Sequence, residues 1–528
     1  MLLKQYRRKI KTLEELCEIL GPFPRKKKVV MCHGVFDVVH PGHLRHLLYA
    51  KSKADILVAS LTADFHIKKG NHRPHVPQNL RAANLAAFEM VDYVLIDKFA
   101  TPINTIQQLQ PDLFAKGFEY ISGGIHPKTS EEEIHLSNYG GKILFTPGDI
   151  VYSSSAFINL NPPKIGIEKL ETLLDAYHIS FNDLESALDD MRNIRVHVIG
   201  DTIVDGFCYT SMIGGQTKTP TLSVRYESQK DYVGGAAIVA QHLRAAGAEV
   251  TFTTLLGNDS RKDFILQTLQ ESGITVNAII DEHRPTTYKN AIIAGGYRLL
   301  KVDTLDNSSM DDACLARFEK AITETPCDVI IYSDFRHGIF NRRTLQALLD
   351  AIPKNVFKVA DSQVASRWGN ITEFQDFDLI TPNEREARFA LGDQDSGIRP
   401  LASALYEAAR CKSLILKLGE RGSLTCFSSD HASLDSFVVV DSFVDNVVDP
   451  VGAGDALLAY ATLAMAKNYG AVVASILGAL AAACECEADG NKPVTPENVR
   501  SKLLRLQKYV DGPEFETLKE EKEEAVAV

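Results

Sequence analysis

The chain has 528 residues, of which 45% are hydrophobic and 24% are charged. This length is too great for one hydrophobic core and the composition is that of ordinary globular enzymes, so we expect two or three folded domains and exclude a fibrous or disordered protein. The 57 Lys and Arg against 68 Asp and Glu give a net charge of −11, which argues against a nucleic acid partner.

The nine cysteines are scattered and odd in number, which favours a reducing compartment, and we expect a cytoplasmic protein. Cys484 and Cys486 lie in an alanine-rich apolar run that predicts helix packing rather than a metal or redox site. The apolar stretch 471–484 is shorter than the roughly 20 residues that a bilayer crossing requires. We therefore expect no membrane segment.

The first 160 residues alternate strand-like and helix-like segments. Residues 27–38 give an apolar, β-branched run and a turn, and a helical pattern begins at His43. Helical stretches around 79–90 and 102–109 alternate with further apolar runs at 55–60, 92–97 and 142–147. This alternation predicts a parallel, doubly wound α/β sheet in a domain of residues 1–160.

A helical, acid-rich linker is predicted for residues 161–194, and strand and helix signals alternate again after it. The strand-like runs are 196–201, 329–335, 357–362, 378–383 and 413–419. They predict a second doubly wound, Rossmann-like α/β domain over residues 195–508. Residues 509–528 are charged and lack an apolar stripe, so we expect a disordered tail.

The densest chemical signal is HGVFDVVHPGHLRHL at 33–47, in which His40 and His43 lie at a junction of loop and helix. A helix N-terminus presents backbone N–H groups to an anion, and Gly42 lacks the side chain that would hold a phosphate away. Two imidazoles beside it can donate hydrogen bonds to a pentavalent α-phosphate without a covalent intermediate.

This segment resembles the HxGH signature of the nucleotidyltransferase superfamily. Over about residues 12–160 the chain closely resembles the nucleotidyltransferase domain of bacterial bifunctional heptose-phosphate kinase/heptose-1-phosphate adenylyltransferases. Ile158 stands where many relatives carry an Arg, so leaving-group stabilisation is expected to depend more on Lys69 and Mg²⁺. The resemblance implies that His40 and His43 are catalytic and that the nucleotide is bound by Phe36, Asp37, Gly42, Lys69, Arg81, Ser153, Ser154 and Ser155.

The second chemical signal is DPVGAGDA at 449–456, which runs directly into an apolar helix. The small residues Gly452, Ala453 and Gly454 allow their backbone amides to form an oxyanion pocket at the helix start. Asp455 is placed to take a proton from an attacking hydroxyl. Phosphoryl transfer requires little beyond such positioning and charge neutralisation.

Together with motifs at 200–207, 233–237, 381–387 and 416–423, this segment resembles the ribokinase-like sugar kinases over roughly residues 195–505. The resemblance implies that Asp455 is the catalytic base and that Asn383 and Glu386 organise Mg²⁺. It further implies that the nucleotide meets Lys417, Gly419, Gly422, Gly452, Ala453 and Gly454, and that the sugar substrate meets Asp205, Gly234, Gly235 and Arg336.

Two positions depart from that family's pattern. Ile238 stands where relatives usually carry a sugar-binding Asn, and an apolar group cannot replace an amide, so the sugar is left open. Pro450 replaces the usual Thr before the anion hole, which removes a hydroxyl and an N–H. Because the glycine turn and the base are retained, we expect activity to be retained.

We therefore expect a cytoplasmic bifunctional enzyme on a heptose-like pathway. One domain phosphorylates a sugar or sugar phosphate with ATP, and the other transfers a nucleotidyl group from ATP or CTP to a sugar 1-phosphate. The nucleotidyltransferase comes first, the reverse of the order in the heptose enzymes. The expected partners are small molecules and further copies of the chain, as a homodimer or higher homo-oligomer.

Two alternatives stay open at this point. In the first, the architecture is the same but the substrates are CTP with a polyol phosphate in one domain and a different sugar in the other. In the second, the kinase-like domain binds sugar phosphate without catalysis and regulates its neighbour.

Overall fold

The computed structural model describes residues 4–67, 73–117, 127–146, 166–214, 222–363, 370–428, 436–488 and 490–511. The chain divides into two compact units that are discontinuous in sequence. Unit 1 comprises residues 1–172, 395–400 and 430–437, and unit 2 comprises residues 173–394, 401–429 and 438–528.

Within the described residues, unit 1 contains a six-stranded parallel sheet with the strand order β1-β4-β3-β2-β5-β6. Its strands are β1 (Ile10–Lys11), β2 (Val29–Gly34), β3 (Ile56–Thr62), β4 (Tyr93–Asp97), β5 (Leu113–Gly117) and β6 (Lys142–Thr146). Its helices are α1 (Leu13–Leu20), α2 (Pro41–Lys51), α3 (Gln78–Ala86), α4 (Ile103–Leu109) and α5 (Pro127–Ser137).

Strand β2 is buried on both faces of this sheet. Val30 and Cys32 pack into one hydrophobic cluster, while Val29 and Met31 pack into another. Successive side chains of a strand point to opposite faces, so the continuous apolar run of β2 supplies both layers. The loop that carries the paired histidines begins at the carboxyl end of this central strand.

The predicted linker contains the helices α6 (Gly166–Ala176) and α7 (Phe181–Asp190). Ser180 and Asp183 form a capping box at the start of α7. Asp189 at the end of α7 pairs with Arg500 at 2.9 Å, so this helix is attached to unit 2. The boundary predicted near residue 160 lies outside the described residues and stays a prediction.

Unit 2 is centred on a nine-stranded sheet with the order β11-β10-β7-β14-β15-β16-β17-β18-β19 in the part of the chain that is described. Its strands are β7 (Arg195–Gly200), β10 (Glu249–Gly257), β11 (Thr275–Asp281), β14 (Val329–Asp334), β15 (Phe357–Ser362), β16 (Leu379–Ile380), β17 (Ser413–Lys417), β18 (Ser423–Cys426) and β19 (Phe437–Val440). Its further helices are α8 (Ala236–Ala245), α9 (Ser260–Glu271), α10 (Asp312–Glu324), α11 (Leu345–Asp350), α12 (Glu384–Leu391), α13 (Ile398–Ala409), α14 (Ala453–Ala466), α15 (Gly470–Cys486) and α16 (Pro496–Asp511).

A second sheet, here called the lid sheet, was not anticipated from the sequence. Its strands β8 (Thr202–Gly214), β9 (Ser223–Gly235), β12 (Tyr288–Ala294) and β13 (Tyr297–Thr304) have the spatial order β13-β12-β8-β9. Most residues of β9 and β13 are exposed, so these strands lack the buried alternation by which strands are recognised.

The predicted α/β class with two parallel-sheet domains is confirmed, and the predicted strand at 357–362 coincides with β15. All nine cysteines are free thiols. Among the described residues, no helix combines the length and apolar character needed to cross a membrane.

Candidate active sites

Two histidines are fixed at the start of α2 by reciprocal capping. His40 is the N-cap residue, and its Nδ1 accepts a hydrogen bond from the Gly42 N–H at 3.1 Å. His43 Nδ1 accepts from the His40 N–H at 3.4 Å, and the two ring centroids lie 4.0 Å apart. The sequence prediction that these side chains lie together at a helix N-terminus agrees with this geometry.

Capping also selects the tautomer of both rings. Because each Nδ1 accepts a backbone hydrogen bond, the ring proton of neutral His40 and of neutral His43 lies on Nε2. Burial lowers the pKa of His43 to about 4, with smaller contributions from His40 and His46, and burial also lowers the pKa of His40. Near neutral pH the site therefore presents neutral imidazole Nε2–H donors.

Gly42 is required by close approach. A β-carbon at this position would lie 2.9 Å from His40 Cε1 and 3.0 Å from His40 Nδ1. Phe36 adopts a φ of 50° and is buried, with its ring centroid 5.2 Å from that of His43. These residues shape the loop around the two imidazoles.

Asp37, which the resemblance implies at the nucleotide site, holds a neighbouring loop. Its carboxylate accepts from Arg73 at 2.7 Å and from the Val76 backbone N–H at 2.8 Å. Asp37 is 4% exposed and anchors the chain at Arg73 and Val76, and its contact with nucleotide stays a prediction.

Arg81, also implied as a nucleotide ligand, is completely buried. Its Nε donates to the Val76 carbonyl, and its two terminal nitrogens donate to the carbonyls of Val35 and Thr62 and to Asp64. Every guanidinium nitrogen of Arg81 thus has a protein acceptor, and its direct contact with nucleotide stays a prediction. Asp64 also pairs with Arg399 at 2.9 Å, within unit 1.

The remaining nucleotide ligands expected for this site fall outside the described residues. They are Lys69, Ser153, Ser154 and Ser155, and Ile158 belongs with them. Their roles stay predictions from the resemblance.

In unit 2, residues 452–454, here called the glycine turn, lead into α14. Gly452 is the N-cap residue with a φ of 87°, a left-handed conformation that favours glycine, and helix α14 begins at Ala453. Gly454 and Asp455 lie in the first turn, where helices leave backbone N–H groups for an anion, although the Asp455 N–H donates to the Gly452 carbonyl oxygen at 2.9 Å. The predicted anion pocket and base therefore share one helix start.

The environment of Asp455 favours its protonated form. Burial raises the pKa of Asp455 to about 8, and the neighbouring carboxylates of Asp361, Asp205 and Glu485 contribute to the rise, whereas Lys417 opposes it. A carboxyl group with a pKa near neutrality is suited to exchange a proton with a substrate hydroxyl.

Lys417 lies beneath the glycine turn, where its Nζ pairs with Asp361 at 3.0 and 3.2 Å. A β-carbon on Gly454 would be 3.3 Å from this Nζ. The resemblance implies that Lys417 meets the nucleotide; in this structure it pairs with Asp361 beside the glycine turn, and its contact with nucleotide stays a prediction. Asp361 was missed, although its position at the carboxyl end of β15 is where ligand-binding residues of parallel sheets occur.

Asn383 and Glu386 form a capping box at the start of α12. The Glu386 carboxylate accepts from Asn383 Nδ2 at 2.6 Å and from the Asn383 N–H at 2.7 Å. Among the described residues, no cluster of three or more His, Cys, Asp or Glu is arranged to hold a metal ion. The carboxylate oxygens of Glu386 and Asp361 near Lys417 are hard donors, which fit Mg²⁺ through its bound waters.

Gly419 and Gly422 form the turn between β17 and β18. Both have positive φ, and a β-carbon on Gly422 would lie 2.0 Å from the Val440 carbonyl oxygen. Backbone geometry thus explains these two glycines, and their contact with nucleotide stays a prediction.

Asp205, Gly234 and Gly235 come together at the base of the lid sheet. A β-carbon on Gly234 would lie 2.1 Å from Asp205 Oδ2, so only glycine leaves room for that carboxylate. Gly235 has a φ of 62° and precedes α8. Burial raises the pKa of Asp205, and the charges of Lys289, Lys301 and Arg298 oppose that rise.

Arg336 is 8% exposed and is engaged by protein carboxylates. Its Nε lies 2.8 Å from Asp334 Oδ2 and its Nη2 lies 2.5 Å from Glu373 Oε2. In this structure Arg336 links Asp334 and Glu373, and its contact with substrate stays a prediction. Asp201 holds the same loop by accepting from the Phe335 and His337 backbone N–H groups.

Of the two departures, Ile238 is fully buried in α8. Its side chain belongs to the core of unit 2. Pro450 is exposed and lies just before the glycine turn.

Comparison with known proteins agrees with these two units. The pfkB family of carbohydrate kinases matches residues 193–498, and the cytidylyltransferase-like family matches residues 31–159. The bifunctional protein HldE of Nitratiruptor sp. is 25% identical over 312 residues, 58% of this chain and 64% of that protein. The bifunctional protein HldE of Helicobacter pylori is 38% identical over 141 residues, 26% of this chain and 30% of that protein.

The chain thus spans less than two thirds of the length of these curated relatives. Phosphofructokinase-2 from Escherichia coli, in a crystal structure with potassium, has a TM-score of 0.50 at 16% identity and covers 60% of this chain and 99% of its own. That similarity shows the fold of unit 2. The pfkB family match covers more than half of the residues of this chain. The chain therefore belongs to the pfkB family of carbohydrate kinases.

Proposed function

We propose that this chain is a bifunctional enzyme, a sugar kinase joined to a sugar-phosphate nucleotidyltransferase. The observation that carries the proposal is that two helix starts each combine a phosphate-accepting backbone with a proton-bearing side chain. At α2 these are the imidazoles of His40 and His43, and at α14 the carboxyl group of Asp455.

In the nucleotidyltransferase, a sugar 1-phosphate oxygen attacks the α-phosphorus of ATP, and the bond to pyrophosphate breaks. Negative charge develops on the α-phosphate oxygens in the transition state. The Nε2–H groups of His40 and His43 donate to those oxygens, and the N-terminus of α2 adds its dipole. Since both rings are neutral near pH 7, they stabilise charge without transferring a proton.

In the kinase, a hydroxyl of the acceptor attacks the γ-phosphorus of ATP, and ADP leaves. Asp455 takes the hydroxyl proton, and the amides of the turn around Gly454 hold the transferred phosphoryl oxygens. Mg²⁺, when bound, would neutralise nucleotide phosphate charge, with Asn383 and Glu386 holding its waters.

The lid sheet supports an acceptor that carries a phosphate. Lys289 lies directly opposite Asp205 in the pairing of β12 with β8, and Asp303 lies opposite Lys289 in β13. Side chains opposite each other in a sheet share a face, so this face carries Lys289 and Lys301 beside the acceptor carboxylate. Arg298 approaches Asp449, before the glycine turn, at 3.9 Å. These cations favour a sugar phosphate over a neutral sugar.

The wider assignment rests on the resemblance. We propose a heptose-like pathway in the cytoplasm, with ATP as the nucleotide of both reactions and CTP as the alternative for the first domain. The order with the nucleotidyltransferase first, the reverse of the heptose enzymes, and a homo-oligomeric assembly belong to the same proposal.

The test is to incubate the protein with Mg²⁺, ATP or CTP and a panel of sugar 1-phosphates and sugar 7-phosphates, and to measure pyrophosphate and ADP separately. Pyrophosphate with one nucleotide and ADP with one acceptor support both activities. Pyrophosphate without ADP across the panel contradicts the kinase assignment and favours a regulatory unit 2.

A further inference from the structure

Two buried oxygen atoms in unit 2 lack a hydrogen-bond partner, and their side chains lie beside the glycine turn. They are Glu485 Oε2 and Asn491 Oδ1. Glu485 is 1% exposed in the last turn of α15, and Asn491 follows it after a short loop. A buried acceptor without a donor costs free energy, so such pairs are rare in folded proteins and indicate an absent partner.

The side chains of Glu485 and Asn491 both lie close to Gly452 in the glycine turn. A β-carbon on Gly452 would lie 2.5 Å from Asn491 Oδ1 and 2.9 Å from Glu485 Oε1. Glu485 Oε1 also accepts from the Lys492 backbone N–H at 3.2 Å, which fixes the chain immediately after Asn491. The glutamate thus holds the segment that carries the amide.

The same amide extends towards the residues proposed to bind the acceptor. A β-carbon on Gly234 would lie 3.6 Å from Asn491 Nδ2 and 2.1 Å from Asp205 Oδ2. Gly490, which precedes Asn491, lies against the lid sheet, because a β-carbon on it would lie 2.9 to 3.0 Å from the Tyr232 side chain. Asn491 therefore lies between the anion pocket and the acceptor carboxylate.

Ile238 of α8, at the position where the sequence resemblance expects a sugar-binding amide, is apolar and fully buried. We propose that Asn491 binds a hydroxyl of the acceptor sugar, with Glu485 as its positioning residue, and so supplies from a distant segment the amide that position 238 lacks. A sugar hydroxyl can donate to the amide oxygen or accept from its nitrogen, so either orientation of the amide serves. The inference rests on the proposed kinase function.

The test uses the full chain and the sugar phosphate from the panel that gives most ADP. Asn491→Ala is expected to raise the KM for that acceptor roughly ten- to a hundred-fold, as for other buried hydrogen bonds to substrate, and to leave the KM for ATP unchanged. Pyrophosphate release by the first domain stays at the wild-type rate, and the unchanged KM for ATP in ADP formation reports that unit 2 is folded. Gln346→Ala, an exposed amide on α11, is the matched control and should change neither KM.

Asn491→Ser, which keeps a small hydrogen-bonding group, gives an intermediate KM and covers the case in which the alanine variant misfolds. Glu485→Ala should raise the same KM while Glu485→Gln restores it, which separates positioning from a simple loss of stability. An unchanged acceptor KM in Asn491→Ala and Asn491→Ser, with active wild type, overturns this inference alone.

A cation held by the two oxygens is the competing outcome. Titration of KCl, NaCl and MgCl₂ at saturating acceptor distinguishes it, because a shifted salt requirement in Asn491→Ala with an unchanged acceptor KM overturns the hydroxyl assignment. Absence of ADP from the wild type with every acceptor overturns the proposed kinase function and this inference with it.

Discussion

The two candidate sites respond to burial in opposite ways. In the nucleotidyltransferase site burial lowers the pKa of His43 to about 4, and in the kinase site it raises the pKa of Asp455 to about 8. Burial disfavours charge on a base and on an acid alike, so both groups are largely uncharged near neutral pH. Burial therefore produces a neutral hydrogen-bond donor in one unit. In the other unit it produces a carboxyl group whose pKa lies close to neutral pH.

The largest effect should come from removing Asp455, the proposed kinase base. Asp455→Asn is expected to lower the kcat for ADP formation by about 100- to 10,000-fold, because the amide cannot take the hydroxyl proton. Pyrophosphate formation should be unaffected. Asp350→Asn, on the exposed end of α11, is the control, and an Asp455→Asn enzyme with near wild-type ADP formation would remove Asp455 from the mechanism.

The histidines give the reciprocal result. His40→Ala and His43→Ala should each lower the rate of pyrophosphate formation by about 100- to 1,000-fold, as for loss of one donor to a transition-state oxyanion, with ADP formation retained. His283→Ala, an exposed histidine, should change neither rate. Equal loss of both activities in the His43 variant would indicate a folding defect instead.

The two proposed activities should differ in their dependence on pH. Since the pKa of Asp455 is raised to about 8, its basic form grows as pH rises, and the kinase kcat/KM should increase about tenfold between pH 6 and 7 and level off above 8. Lys417→Met removes a neighbouring cation that opposes the rise, so its profile should move to higher pH. With His43 neutral above about pH 5, pyrophosphate formation should show no such slope.

The smallest effect is expected from Gly42→Ala. The added β-carbon would meet the His40 ring at 2.9 Å and displace it by a few tenths of an ångström, so we expect a loss of pyrophosphate formation of roughly tenfold. The acceptor KM and ADP formation report on unit 2 and should stay constant. An unaltered pyrophosphate rate would show that the spacing of the two rings is not critical.

Contiguous motifs explain which parts of the sites could be predicted. His40 with His43, and Gly452 with Asp455, are close in sequence, so helix geometry alone places them together. Asp205, Gly234, Gly452 and Asn491 come from separate segments that only the tertiary fold assembles. The charge of Glu485 between two cysteines in an apolar helix was an available signal, because buried glutamates are rare without a function or a partner.

Residue type alone could not distinguish a ligand from a brace. Arg81 and Arg336 occur where relatives place binding residues, yet in this structure both guanidinium groups contact protein oxygens. Whether an arginine meets substrate depends on which carboxylates lie nearby, and the sequence does not encode that distance locally. The lid sheet escaped prediction for a related reason, since its polar strands resemble loops.

The pairing of Asp64 with Arg399 joins residues 335 positions apart within unit 1. The ribosome synthesises the N-terminus first, so the sheet of unit 1 can assemble while Asp64 is paired with Arg81 but not yet with Arg399. The N-terminal catalytic unit is therefore completed only after most of the kinase sequence has been synthesised, and a gene fragment that ends at residue 172 encodes it without that ion pair.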